Sequence, residues 1–218
     1  MGVEHLDHRQ FERLYGSWAP RTPKDVQSLL AGYPGRWWVA GGWAIEAFTG
    51  VSRAHDDIDP SVLRSDLPLL RRHLAGHLDV WAASGGALSP MLPDDNPHGA
   101  ADEVLPADCS QVWTRPSASG PWEFDVLLDA GTADEWVYKR DPRIRMPMSE
   151  ALWESDGILF IQPEIQLLYK AKGRRAKDQA DFDTTLPRLD DHRRHWLADA
   201  LDRTIPEHPW ATAARKPA

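Results

Sequence analysis

Cysteine is nearly absent: Cys109 is the single one in 218 residues. No disulfide framework and no multi-cysteine zinc site can be built within the chain from it. Long apolar runs are missing as well. None approaches the roughly 20 residues that a membrane-spanning helix needs, and no leader pattern opens the chain. A soluble, cytoplasmic protein with no membrane partner is the expectation. Basic side chains are the minority, 25 against 33 acidic, for a formal charge of −8. Broad nucleic-acid binding needs a basic footprint, so that class is disfavoured. A cationic substrate steered by an acidic cleft is compatible with this balance, as is plain solubility. Internal repeats and low-complexity segments are also absent. What the chain does have in excess is tryptophan, with 11 residues. Most are expected to pack in the core or at its rim, because each buries a large area. Some are free to line a site for sugar or drug-like rings.

The length fits one domain, or one domain with a small helical appendage. Helical spacing is present at Leu6, Phe11 and Leu14. Thr22-Pro23 reads as an N-cap followed by proline in the first turn, opening a second helix through Val26, Leu29 and Leu30. Trp37-Trp38-Val39-Ala40 is a short apolar run ending at a glycine pair, so it reads as a buried strand. Ala44, Ile45, Ala47 and Phe48 read as the helix that follows. Asp66 and Pro68 begin another helix, with Leu69, Leu70, Leu74 and Leu78 expected inward. Strands are expected at Val80-Trp81-Ala82-Ala83, over 109–114, over 122–129 and at Ile158–Ile161. Residues 90–106 form a loop rich in Pro, Asp and Gly, with Asp94, Asp95, Asp102 and Glu103. Pro163-Glu164 opens a helix, and 177–201 is helical in pattern with a break near Pro187.

The chemistry gathers around two short stretches. Gly41 and Gly42 stand at a strand-to-helix junction, where glycine lets backbone amides approach a phosphate and the helix N-terminus favours the anion. Downstream comes His55-Asp56-Asp57-Ile58-Asp59, expected on the next strand. Residues two apart on a strand share a face, so Asp57 and Asp59 stand side by side. Two adjacent carboxylates repel, and such a pair is either costly or a cation site. Hard oxygen ligands suit Mg²⁺ together with substrate phosphates.

Trp122-Glu123-Phe124-Asp125-Val126-Leu127-Leu128 alternates, with Glu123 and Asp125 on one face. Carboxylates in an apolar strand are costly unless paired or metal-bound, or unless the strand is an edge with a wet face. The functional reading makes Asp125 a third acidic residue beside Asp57 and Asp59. Three carboxylates can hold two Mg²⁺ ions about 4 Å apart. The second half supplies cations at Lys170, Lys172, Arg174, Arg175 and Lys177. They can bind a triphosphate or complement a helix C-terminus. Asp178 and Asp181, at i and i+3, are placed to pair with these basic residues or orient them.

Gly41-Gly42-Trp43-Ala44-Ile45 followed by Arg53-Ala54-His55-Asp56-Asp57-Ile58-Asp59 resembles the signature of the polymerase-beta-like nucleotidyltransferases. The sequence is most similar to the aminoglycoside-2''-adenylyltransferase and lincosamide nucleotidyltransferase group. The stretch from Pro163 through Lys170 to Asp178-Gln179-Ala180-Asp181 also resembles the Lys and Asp-X-X-Asp region of abortive-infection toxin nucleotidyltransferases. The likeness is strong over 37–62, moderate over 122–183 and missing elsewhere. It implies an α/β (α+β) nucleotidyltransferase fold, a mixed twisted sheet flanked by helices. It further implies a nucleotidyltransferase domain over 1–160 with N-terminal helices, and a helical region over 161–218 completing the nucleotide and acceptor cleft.

By the same resemblance Gly41, Gly42 and Trp43 match the nucleotide-phosphate turn. Asp57 and Asp59 match the metal pair. Asp125 matches the third acidic residue, which binds metal or deprotonates the acceptor hydroxyl, with Glu123 as its rival. Arg53 and His55 match positions that contact the triphosphate or buttress the metal loop, and Lys170 matches a phosphate-contacting lysine. The implied cofactors are Mg²⁺, two ions in the fullest form, with ATP or another nucleoside triphosphate as co-substrate. The implied partner is a small acceptor, cationic and aminoglycoside-like. Two alternatives stay open: a toxin-like enzyme acting on tRNA or protein, and a non-catalytic nucleotide-binding module. The basic clusters at 139–145 and 170–177 leave tRNA open. Pro60 departs from the family pattern, where an aliphatic strand residue follows the pair. Lacking an amide donor, it is expected to end the strand early or tilt Asp59.

Overall fold

The computed structural model describes residues 6–92, 105, 106, 108–173 and 175–216. The expected acidic loop residues Asp94, Asp95, Asp102 and Glu103, and Arg174 of the basic cluster, lie outside the described residues. The chain divides into two compact units. One takes 1–37 and 55–130, the other 38–54 and 131–218. Residues 161–218, expected as a separate helical region, belong to the second unit along with 38–54 and 131–160.

The first unit contains α1 (His8–Tyr15), α2 (Pro23–Leu29), β2 (Pro60–Leu63), α4 (Leu67–Leu74), β3 (Asp79–Ser84), β4 (Ala87–Pro90), β5 (Gln111–Arg115) and most of β6 (Phe124–Gly131). Its strand order is β4-β3-β5-β6-β2. All neighbours are antiparallel except β2 and β6, which run parallel. Trp113 faces Asp125 and Gln111 faces Leu127 across β5 and β6. Opposed residues point to the same side, so Gln111, Trp113, Asp125 and Leu127 share one face. The other face presents Val112, Phe124, Val126 and Leu128 to a dry core, all at most 3 % exposed.

Local chemistry explains the element ends. Asp25 accepts from both Thr22 N and Thr22 Oγ1 at the start of α2, where Pro23 loses no hydrogen bond. Leu70 and Leu74 of α4 are buried as expected. Leu69 and Leu78 are only half-buried, and Leu67 takes an inward position instead. The tryptophans behave as packing residues: none of the eleven is exposed. The Arg115 guanidinium packs in the corner between the perpendicular Trp81 and Trp122 rings, 4.3 Å from each centroid. The free Cys109 is buried.

The second unit begins with β1 (Trp37–Val39), whose Trp38 and Val39 belong to it, and α3 (Gly41–Thr49). It continues with β7 (Glu135–Val137), β8 (Arg145–Pro147), α5 (Met148–Ala151), β9 (Leu152–Ser155) and β10 (Ile158–Ile161). Then come α6 (Pro163–Lys170), α7 (Ala176–Thr185), α8 (Asp191–Thr204) and α9 (Pro209–Ala214). β1 runs parallel to β10, and β10 antiparallel to β9. β7 and β8 form a separate antiparallel pair. Ile165, Leu167 and Leu168 of α6 are fully buried, and so are Leu197 and Leu201 of α8. Both units therefore carry mixed strand pairings and packed helices, as the α/β expectation had it. Among the described residues no helix is long and apolar enough to cross a membrane.

Candidate active site

The carboxylates of Asp57, Asp59 and Asp125 converge in the first unit. One oxygen from each lies within 4.8 Å of the other two. The segment that carries the first two differs from expectation, because β2 starts at Pro60 and both aspartates precede it. The reason is the proline itself. It has no N–H to give a ladder, so pairing is registered only from that residue on. The chain before it is nonetheless strand-like. Ile58 is fully buried between half-buried Asp57 and Asp59, and Asp125 N donates to Ile58 O at 3.1 Å. The alternation that places both carboxylates on one side thus survives outside the formal strand.

Asp125 is 8 % exposed and sits inside β6. Gln111 Nε2 donates to its Oδ2 at 3.3 Å. Gln111 escaped the sequence reading. A polar residue directly before Val112-Trp113 on a strand is a weak signal, and only the register shows that it lies diagonally across from Asp125 on the same face. Glu123, the rival third acid, is not in the cluster. Its carboxylate accepts from Arg21 Nη2 at 2.7 Å, and it lines a separate cavity with His73 and His77. His55 is half-buried just upstream of the cluster.

Three carboxylate oxygens this close form a hard, anionic donor set. Without a cation they repel, and with one they are satisfied. That chemistry fits Mg²⁺, which takes a few carboxylates and keeps its remaining positions for water and phosphate oxygens.

In the second unit Gly41 has φ +68°, a conformation that glycine adopts without a Cβ penalty. It begins α3, as the strand-to-helix reading expected. Gly41 N donates to Gln166 Oε1 at 2.8 Å. Gln166 was also missed, although a buried amide in the otherwise apolar Ile165–Leu168 stretch requires a partner. Trp43 is half-buried in the first turn.

Lys170, also in this unit, is 7 % exposed, with Nζ 2.8 Å from Asp181 and 3.4 Å from Asp178. Arg53 reaches the same Asp181 through Nε and Nη2. Arg175 Nε bonds Asp178 Oδ2 at 2.8 Å. Burial pushes the Asp178 carboxyl up, but the Arg175 hydrogen bond and the Lys170 charge outweigh it and hold the group below its ordinary value. The i, i+3 aspartates therefore pair with the basic residues, one of the two roles expected of them. Lys170, expected to meet phosphate, and Arg53, expected to meet the triphosphate or buttress the metal loop, are both engaged by Asp181.

No family model matches this sequence, and no curated protein does either. Among solved structures, ANT(2'')-Ia in complex with adenylyl-2''-tobramycin aligns with a TM-score of 0.51. The alignment covers 83 % of this chain and 95 % of that one at 13 % identity. This chain has the fold of that protein. A solution structure of the antibiotic-resistance factor ANT(2'')-Ia aligns at TM-score 0.47 and 14 % identity, over 83 % of this chain and 89 % of its own. The lincomycin-bound lincosamide antibiotic adenylyltransferase LnuA aligns at TM-score 0.47 and 15 % identity, over 74 % and 92 %.

Proposed function

We propose that the chain is a Mg²⁺-dependent nucleotidyltransferase that moves AMP from ATP to a hydroxyl of a small cationic acceptor. The observation that carries this reading is the convergence of Asp57, Asp59 and Asp125 in a chain with the fold of ANT(2'')-Ia. That protein's structure holds adenylyl-2''-tobramycin, the adduct such a reaction makes.

In the reaction the acceptor oxygen bonds to the α-phosphorus of the triphosphate. The bond from that phosphorus to the bridging β-phosphate oxygen breaks, and pyrophosphate leaves. The hydroxyl proton passes to the Asp125 carboxylate, which must lie within hydrogen-bond reach of it. Gln111 holds the other side of that group by bonding Oδ2. Asp57 and Asp59, with Asp125 completing the set, would hold Mg²⁺, which supplies positive charge for the phosphate oxygens. The Glu123 alternative is disfavoured by its ion pair with Arg21. Gly41, Gly42 and Trp43 are assigned to the phosphates. Arg53, His55 and Lys170 are assigned to the triphosphate or to support of the acidic loop.

A toxin-like action on tRNA draws little support from the charges. Arg143 pairs with Asp141 at 2.6 Å and Arg145 with Glu135 at 3.5 Å, so the 139–145 cluster is partly neutralised from within. Loss of one acidic position would favour a non-catalytic module, and all three are present and converge.

The test is purified protein with Mg²⁺ and each labelled nucleoside triphosphate, offered aminoglycosides, lincosamides and bulk tRNA. Label is expected on a small acceptor, with pyrophosphate released, and none with Asp57→Asn. Label on tRNA alone would favour the toxin-like reading, and full activity in the variant would overturn the mechanism.

A further inference from the structure

A cavity of about 290 Å³ opens on the face of the first unit's sheet that carries Asp125. Helix α1 covers part of that face. Its Phe11 and Tyr15 rings stand 5.9 and 6.1 Å from the Trp113 ring. Tyr15 Oη donates to Gly86 O at 2.8 Å and ties the helix to the β3–β4 hairpin. The hairpin turn needs both its glycines, Gly85 and Gly86, at φ +58° and +80°. The space left between helix, hairpin and β5 is lined by Phe11, Tyr15, Trp113, Leu88, Asp108 and Gln111, among others. Gln111 is the link: it lines the cavity and donates to Asp125.

The lining dictates the ligand. Three aromatic rings and an aliphatic side chain accept the apolar face of a ring. Among the described lining residues none is basic, so an anion finds no counter-charge there. Asp108 is exposed at the cavity and supplies one carboxylate. One ammonium can pair with it, and the rings favour a cation over their faces. A second or third ammonium would lose its water against rings without a carboxylate to meet it.

We infer that this cavity is the acceptor subsite of the Asp125 centre and takes a ring compound with an apolar face and a single cationic amine. This rests on the nucleotidyltransferase reading and narrows it, since it favours a monoamine over a polyamine acceptor. Binding to the cavity presents the acceptor hydroxyl on the sheet face where Asp125 waits for its proton.

Saturation-transfer NMR on the full chain reads binding without turnover. The probes are lincomycin, with one amine, and tobramycin, with several. Lincomycin is expected to bind the wild type more tightly than tobramycin does. Phe11→Ala and Asp108→Asn are each expected to weaken it about tenfold, the loss of one ring contact or one ion contact. Asp108 is exposed, so its variant tests the site even where the helix variant is unstable. Lincomycin failing to bind, unchanged affinity in Asp108→Asn, or tighter binding of tobramycin each overturns the assignment. Nucleotidyl transfer is judged apart from this, by label transfer and its loss in Asp57→Asn. Lincomycin binding that depends on Asp108 supports the cavity even if no label moves.

Discussion

Arg53 and Asp181, 128 residues apart in sequence, are joined by two side-by-side hydrogen bonds, Nε to Oδ1 at 2.9 Å and Nη2 to Oδ2 at 3.2 Å. Lys170 adds its ammonium to the same carboxylate at 2.8 Å. Asp181 is thus the hub that holds two cations, itself 4 % exposed. Removing one partner of a buried pair leaves the other charge desolvated, at a cost of roughly 3–5 kcal/mol. Asp181→Ala is expected near the lower end, because Asp178 remains beside Lys170. Asp183→Ala, exposed on the same helix, is expected to stay within about 0.5 kcal/mol of the wild type. Urea denaturation of both variants measures the difference, and equal small effects would show that the hub adds no stability.

The acidic cluster makes a prediction that needs no turnover. Three carboxylate oxygens within 4.8 Å repel one another when no cation is bound. Asp57→Asn removes one charge, so in a chelator the variant is expected to melt above the wild type. Adding Mg²⁺ should raise the wild-type melting temperature, by the linkage of ligand binding to folding. The variant should respond far less. A wild type indifferent to Mg²⁺, Mn²⁺ and Ca²⁺ would speak against a cation site at these residues.

Much of the layout was legible because apolar runs were punctuated. Trp37–Val39 before two glycines, and Ile158–Ile161 before Pro163, are bounded by residues that end or begin elements for steric reasons. β7 and β8 were not legible. Three residues such as Arg145–Pro147 hold no periodicity, and their pairing is a property of the partner. β4 escaped for the same reason, being four mostly exposed residues. In the candidate site the acidic residues were visible as an alternation, Asp57-Ile58-Asp59, that survives in the burial pattern. The amides that hold Asp125 and Gly41 were not, because Gln111 and Gln166 meet their partners only through sheet register and helix packing. Glu123 and Asp125 looked equivalent by parity, and the Arg21 ion pair separates them.

Two buried acids shift in opposite directions and set opposite pH dependences. Burial pushes the Glu164 carboxyl above its ordinary 4.5, against the pull of Arg193. At pH values between 4.5 and that raised value, the folded form holds a proton that the unfolded chain has lost. The stability it contributes is full below 4.5 and is lost as pH rises through the folded value. Asp178 is held below 3.8, so its contribution is full above 3.8 and is lost as pH falls through the lower folded value. Glu164→Gln is accordingly expected to melt above the wild type at pH 7, with the gap closing towards pH 4.5. Asp178→Asn is expected to melt below it at pH 7, with the gap closing only under pH 3.8. Melting curves of the three proteins across pH 3–8 decide both, and parallel curves would defeat the assignment.

Pro60 is the residue on which the two views of the acidic segment separate. As a strand breaker it would tilt Asp59 out of place, and its removal would improve the site. The structure points the other way. Pro60 is the buried first residue of β2, and its ring restricts Asp59 to extended conformations by excluding the helical region. Pro60→Ala frees both residues in the unfolded chain and is expected to cost about 0.4–1 kcal/mol of stability. It also lets Asp59 leave the extended form that brings its carboxylate to Asp57 and Asp125. The Mg²⁺-dependent rise in melting temperature should therefore shrink in Pro60→Ala. A larger rise than in the wild type would mean that the proline holds the pair apart.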